Sequence, residues 1–259
     1  MSQIDSGKRR PHSDRIATLA THAGDDPFRF LGAAAPPIVE TSTFVFESYE
    51  ALEEAFANPD DHCIYTRGNN PTVQVAEEKI AALEGAEACR LFGSGMAAIS
   101  AAILSCVRAG DHIVSLDTVY GPARSFMADY LPRFGVETTF VDGTELAHFE
   151  AALRPNTRLF YLESPSSYLM KLQDLPAVAG LARSRGIKTI IDNSYSSMLL
   201  QRPLDFGIDL SVYSATKYLN GHSDVVAGAV VGSRAMLTPI NRQEYPLLGA
   251  AIGPFEGWL

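Results

Sequence analysis

Cationic charge is in short supply in this sequence: 21 Lys and Arg stand against 30 Asp and Glu, a formal net charge of −9. Nucleic-acid binding needs clustered cations to meet phosphates, so this balance argues against that class. Cysteine is scarce too. Cys63, Cys89 and Cys106 form an odd set of three, and no two share CxxC spacing, so neither a disulfide framework nor a zinc site is expected. Cys89 and Cys106 lie in apolar stretches and read as core thiols, with a reducing cytoplasm as the expected setting. The six histidines show no metal-ligand spacing. No apolar run reaches the roughly 18 residues of a membrane span. The polar start, MSQIDSGKRRPHSD, has no apolar stretch behind Lys8, Arg9 and Arg10, so no signal peptide is expected. Internal repeats and low-complexity tracts are missing as well.

What is present describes a globular chain. At 259 residues, with 46% hydrophobic and 20% charged residues, a sizeable core is expected and wholesale disorder is not. Residues 1–14 read as a flexible tail. Residues 15–70 show little regular periodicity, with Pro36-Pro37, ETSTFVF and RGNNP, and read as an extended arm. From Pro71 the pattern changes. Val73, Ala76, Ile80 and Leu83 recur at helical spacing until Gly85. Met96 to Val107, Phe126 to Phe134, Leu146 to Leu153 and Leu175 to Ala182 mark further helices. Between them, short apolar runs at 88–92, 112–116, 136–141, 158–163, 187–192, 209–214 and 225–231 read as strands. Alternation of this kind predicts an α/β fold, a mostly parallel sheet with helices on both faces. The stretch from 240 shows no finished element and ends on apolar Trp258-Leu259, which suggests a truncated chain.

In such sheets ligands sit at the carboxyl ends of the strands. The Gly93-Ser94-Gly95-Met96-Ala97-Ala98 loop follows a strand and opens a helix, so it offers backbone N–H groups and a helix dipole to a phosphate. It has two readings. It matches G-x-G-x-x-A with Asp117 at the end of the next strand, as in a nicotinamide-dependent oxidoreductase. The other reading needs more residues at the same edge. Asp192 ends a strand and, if buried, needs a cation or hydrogen bonds; a protonated pyridine nitrogen is one partner. Lys217, past the strand DLSVYS, can form a Schiff base with an aldehyde. Ser214 and Thr216 flank it with hydroxyls able to reach a phosphate, and Tyr120 offers a face for a planar ring. Each residue alone also fits a cap or a solvated surface. Together they meet the protein-side needs of pyridoxal 5'-phosphate.

With these residues assembled, the sequence resembles the Cys/Met-metabolism family of pyridoxal-phosphate enzymes, the cystathionine synthases and lyases. The matching stretches are ATHAGDDP (20–27), PPIVETSTF (36–44), YTRGNNPT (65–72), LFGSGMAAI (91–99), DTVYG (117–121), LESPSS (162–167), IIDNSY (190–195) and LDFGIDLSVYSATKYLNGHSD (204–224). The resemblance implies the large domain of fold type I over residues 71–259, without the C-terminal small domain that supplies an arginine for the substrate carboxylate. It implies that Lys217 holds the cofactor and moves the substrate α proton, with Tyr120 stacking and assisting. Asp192 would pair with the pyridine nitrogen. Gly95, Met96, Ser214 and Thr216 would bind the phosphate. Tyr65 and Arg67 would reach the neighbouring subunit's phosphate, so the arm implies a homodimer or homotetramer. The substrate implied is a small sulfur amino acid, and the pathway transsulfuration and methionine biosynthesis. Many members carry Glu-x-Pro-x-Asn-Pro where this chain has Glu163-Ser164-Pro165-Ser166-Ser167-Tyr168. Bacterial cystathionine beta-lyases are more similar at that point, which favours β-elimination on cystathionine, with γ-synthase and γ-lyase chemistry as alternatives. An inactive remnant that binds cofactor or a partner subunit is the alternative of another class.

Overall fold

The computed structural model describes residues 16–259, so the expected tail lies outside the described residues. Seven strands form one sheet: β1 (Ala88–Phe92), β2 (His112–Leu116), β3 (Glu137–Val141), β4 (Thr157–Glu163), β5 (Lys188–Asp192), β6 (Leu210–Tyr213) and β7 (Gly228–Gly232). Their spatial order is β1-β7-β6-β5-β4-β2-β3. Strand β7 runs antiparallel to both its neighbours, and the other pairings are parallel. All of β2 and all of β7 are buried, which is why these strands read as continuous apolar runs rather than alternating ones.

The helices are α1 (Ile16–His22), α2 (Tyr49–Ala57), α3 (Pro71–Glu84), α4 (Gly95–Cys106), α5 (Gly121–Ser125), α6 (Leu146–Ala152), α7 (Leu175–Ser184), α8 (Ser197–Leu200), α9 (Arg234–Arg242), α10 (Glu244–Leu248) and α11 (Pro254–Trp258). Their starts follow from side-chain caps. The Asn70 side chain accepts the Thr72 N–H at 3.0 Å ahead of Pro71, and Gly85 closes α3 at φ 74°. Ser94 accepts the Ala97 N–H at 3.1 Å to open α4, and Asp174 accepts the Ala177 N–H at 3.0 Å to open α7. One core cluster joins Ile99 and Ile103 of α4 and Val178 of α7 to Ile113, Phe160 and Val212. A second joins Val73 and Ala81 of α3 to Leu91, Tyr213 and Val231. The sheet is thus covered on both faces, as expected.

Three expectations need correction. Residues 15–70 are not wholly extended: α1 and α2 form there, α2 capped by Ser48, whose hydroxyl accepts the Ala51 N–H at 3.1 Å. The single helix expected over Phe126–Phe134 is broken into α5, a π turn at Phe126–Tyr130 and a 3-10 turn at Leu131–Phe134. Pro132 has no N–H to continue the ladder, and the chain rewinds around it. Finally, the stretch from 240 is ordered into the end of α9, α10 and α11. Its anchor is tertiary: α11 packs on α3, and the Trp258 indole N–H donates to the Pro36 carbonyl at 3.1 Å.

Candidate active site

Strands β2, β4, β5 and β6 lie consecutively in the sheet and point the same way. Each delivers one chemical group at or just past its carboxyl end: Tyr120, Glu163, Asp192 and Lys217. The four line one cavity of about 550 Å3, with Ser167 and His222 also on its wall. Lys217 Nζ stands 5.1 Å from the centroid of the Tyr120 ring. This spacing leaves the amine and the aromatic face looking into the same space.

The turn that carries Lys217 is held from three sides. The Lys217 N–H donates to the Ser214 carbonyl at 3.1 Å. The Ser214 N–H donates to Ser194 Oγ at 2.6 Å, which ties the loop after β5 to the loop after β6. The Thr216 hydroxyl donates to the Ala227 carbonyl at 3.0 Å and accepts the Ala227 N–H at 2.9 Å. Thr216 is therefore occupied in bracing the turn against β7, whereas Ser214 Oγ makes no hydrogen bond among the described residues. Gly95 explains the packing of the glycine loop here. A Cβ at that position would stand 3.0 Å from the Ser214 Cβ, tighter than an ordinary contact, so glycine lets the N-terminus of α4 meet Ser214 without displacing it. Met96, next along, is partly buried against the core.

Asp192 is 6% exposed, and its hydrogen bond comes from the Ser194 N–H at 3.0 Å. It takes part in no ion pair among the described residues. Burial pushes its carboxyl above the usual range, and hydrogen bonding from Ser194, then the Lys217 charge, partly offset this. The register sets Glu163 directly beside Asp192 on the neighbouring strand, so the two side chains share one face. Burial, and then the Asp192 charge, push Glu163 up to about 7. Beside the pair, the Tyr161 hydroxyl is buried without a partner among the described residues.

Tyr65 and Arg67 are not brought to this cavity. They are exposed, and the Arg67 guanidinium lies 5.2 Å from the Tyr65 ring centroid. Their segment is pinned from behind. The Asn69 side-chain amide donates to the Pro59 carbonyl at 2.8 Å, and that of Asn70 to the Val39 carbonyl at 2.9 Å and to the Thr66 hydroxyl at 3.1 Å, so Thr66 is turned inward while Tyr65 and Arg67 on either side face outward. Glu163 and Ser194 were not singled out as site residues by sequence, and Ser167 entered only as the residue at the family's asparagine position. The rule that marked Asp192, a polar residue at the carboxyl end of a buried strand, applies equally to Glu163.

The dinucleotide reading fails on topology. There the ribose acid ends the strand adjacent to the one feeding the glycine loop. Here β7, β6, β5 and β4 stand between β1 and β2. Asp117 instead lies 3.6 Å from Lys171 Nζ. Among the described residues no group of three His, Cys, Asp or Glu could hold a metal ion, and no helix is long and apolar enough to cross a membrane.

Comparison with known proteins agrees with this geometry. The family described as "Cys/Met metabolism PLP-dependent enzyme" matches residues 17–259. The chain is 45% identical over 247 residues to an L-methionine gamma-lyase of Treponema denticola and 46% identical over 246 residues to one of Porphyromonas gingivalis. It is 38% identical over 242 residues to a cystathionine gamma-lyase of Bacillus subtilis. These alignments cover 93–94% of the chain but only 61–62% of each relative. On this match and this site, the chain belongs to the Cys/Met-metabolism family of pyridoxal-phosphate-dependent enzymes.

Proposed function

We propose that this chain forms the cofactor-binding part of a pyridoxal-phosphate-dependent carbon–sulfur lyase acting on a small sulfur amino acid. One observation carries the reading: Tyr120, Asp192 and Lys217 converge on a single cavity from the carboxyl ends of β2, β5 and β6, with the Lys217 amine 5.1 Å from the Tyr120 ring. The donor set suits the cofactor. Lys217 would hold its aldehyde carbon, and Tyr120 would cover the ring. Asp192, a buried carboxylate without a cation, would meet the pyridine nitrogen. The free Ser214 hydroxyl and the α4 N-terminus at Gly95 and Met96 would hold the phosphate. Thr216 would contribute by bracing the turn, because its own hydroxyl is taken by Ala227.

The electron-sink chemistry belongs to pyridoxal phosphate when it is bound. The chain's part is positional and acid–base. Lys217 Nζ would take the α proton of the substrate and return it to the product side, with the Tyr120 hydroxyl as a second group on the same wall. The Asp192 carboxylate would keep a positive charge fixed at the far end of the ring. Tyr120 would exclude water from one face. Tyr65 and Arg67 would serve a second copy in a homodimer or larger assembly; their exposure away from their own cavity supports this reading. The exposed apolar loop of Tyr168, Leu169 and Leu172 supports the same conclusion.

The relatives named as γ-lyases favour elimination at the γ carbon over the β carbon that Ser167 and its neighbours suggested. The decisive experiment has two steps. Purified protein with added pyridoxal phosphate is reduced with borohydride and digested, and the adduct is located by mass spectrometry. Label on Lys217, absent in Lys217→Ala, is expected; label elsewhere or none defeats the reading. The same protein is then given cystathionine and methionine. A four-carbon keto acid reports γ-elimination, pyruvate from cystathionine reports β-elimination, and neither product leaves cofactor binding without turnover.

A further inference from the structure

The buried carboxylate of Glu163 has no part in the scheme above, yet it touches two walls of the cavity. Its Oε2 accepts the main-chain N–H of Tyr120 at 2.7 Å, and its Oε1 accepts the Ser167 hydroxyl at 2.5 Å. Tyr120 immediately precedes α5, whose start has no side-chain cap, so the Glu163 bond is what fixes that backbone. On the other side, Ser167 opens a tight loop in which the Leu169 N–H donates to the Ser167 carbonyl at 2.7 Å and the Met170 N–H to the Ser166 carbonyl at 3.1 Å. Tyr168 and Met170 take φ of 60° and 54°, a conformation that a non-glycine residue holds only under local constraint. One side chain therefore links the loop after β2 to the loop after β4.

We propose that Glu163 is a positioning residue: its two oxygens clamp the Tyr120 backbone and Ser167 together and so set the height of the Tyr120 ring over Lys217. A short serine hydroxyl is the group that suits this clamp, because it can end directly on the carboxylate while leaving the cavity open in front of it. The role is one of hydrogen-bond acceptance at Oε2, not of charge. Glutamine can supply the same acceptor to the Tyr120 N–H and turn its amide toward Ser167 Oγ. Alanine can supply neither. The inference deepens the pyridoxal-phosphate reading and rests on it only for the spectral readout below.

The test uses the full chain as wild type, Glu163→Gln, Glu163→Ala and Ser167→Ala. Amide hydrogen exchange of the 117–123 segment is followed without cofactor, and visible circular dichroism is recorded with pyridoxal phosphate. Loss of the acceptor should speed exchange at Tyr120 by roughly tenfold or more in Glu163→Ala. The cofactor's dichroism should fall to less than about half, because a tilted ring changes the asymmetry that cofactor absorption reports. Glu163→Gln should restore both readouts to near wild type, and Ser167→Ala should lie between. Global unfolding of Glu163→Ala would show as faster exchange throughout β2 and β4; in that case the Gln and Ser167→Ala pair decides alone. Wild-type protection and dichroism in Glu163→Ala would overturn the proposal, and so would a Gln variant as impaired as Ala. If the wild type gives no cofactor signal, the pyridoxal-phosphate reading fails, and the exchange measurement still decides the clamp.

Discussion

The two faces of this sheet each hold a buried carboxylate, and they are built to opposite ends. On the α3 face, Glu84 is fully buried and both its oxygens are taken: Ser211 Oγ donates at 2.9 Å and the Tyr213 hydroxyl donates to the other. Tyr213 in turn accepts from the Asn193 side-chain amide at 2.9 Å, and Asn193 exchanges hydrogen bonds with Gln201. The network is closed. On the other face, Asp192 and Glu163 lie side by side at the strand ends with like charge and open onto the cavity. Burial pushes Glu84 and Glu163 alike up to about 7. Similar titration thus accompanies dissimilar duties. What marks the site is the missing cationic partner beside Asp192 and the space in front of it, not the perturbed carboxyl by itself.

The comparison can be broken most sharply at Lys217. Lys217→Ala should abolish borohydride-trapped cofactor completely while leaving thermal stability nearly unchanged, because the side chain is exposed. Mass spectrometry and a melting curve on the same sample check both halves. Glu84→Ala should do the reverse. It leaves Ser211 and Tyr213 without their acceptor inside the core and should cost about 2–4 kcal/mol in urea unfolding. Cofactor trapping on the remaining folded protein should persist; its loss would mean that the α3 network also serves the site.

A smaller effect concerns pH. A carboxyl whose pKa is raised by folding binds protons more tightly in the native state. The cost is absent below the ordinary value of 4.5 and grows as pH rises to about 7, so cofactor-free stability should fall across that window. Each such group contributes roughly 1.4 kcal/mol per pH unit where it is fully linked. Glu84→Gln should flatten the decline in urea midpoints between pH 5 and pH 7 without removing the share from Glu163. An unchanged slope would show that Glu84 is ionised over the whole range. Smallest is Tyr213→Phe, which deletes one donor to Glu84 and one acceptor for Asn193. It should cost about 1–2 kcal/mol by the same unfolding assay.

Much of the parallel core was legible. Strands such as HIVSL and helices such as Pro71–Glu84 carry their own signals, a continuous apolar run or a cap, a period and a terminal glycine. Asp192, Tyr120 and Lys217 were legible because each lies at or just past the end of a recognisable strand. Other features had no local signal. Nothing in VVAGAVV shows that β7 runs antiparallel. Nothing in LFGSG shows that its strand pairs with β7 and not β2. That the Thr216 hydroxyl pairs with the Ala227 main chain had no signal either, because a hydroxyl's partner cannot be read from its neighbours in sequence. The helices within 16–57 went unread although α2 has a Ser48 cap and is as amphipathic as α7; almost none of their residues is buried, so they stand apart from the pattern of the core.

By itself, then, the sequence determined most of the element types from Pro71 onward and the edge of the sheet at which Tyr120, Asp192 and Lys217 would meet. These depend on burial, hydrogen-bond satisfaction and chirality, which act over a few residues. Only the tertiary structure decided the strand order that rules out a dinucleotide site, the placing of Glu163 beside Asp192, and the bond from Tyr120 to Glu163 across 43 residues of chain. Those outcomes depend on which distant strands pair, and that is settled by the packing of the whole sheet against its helices.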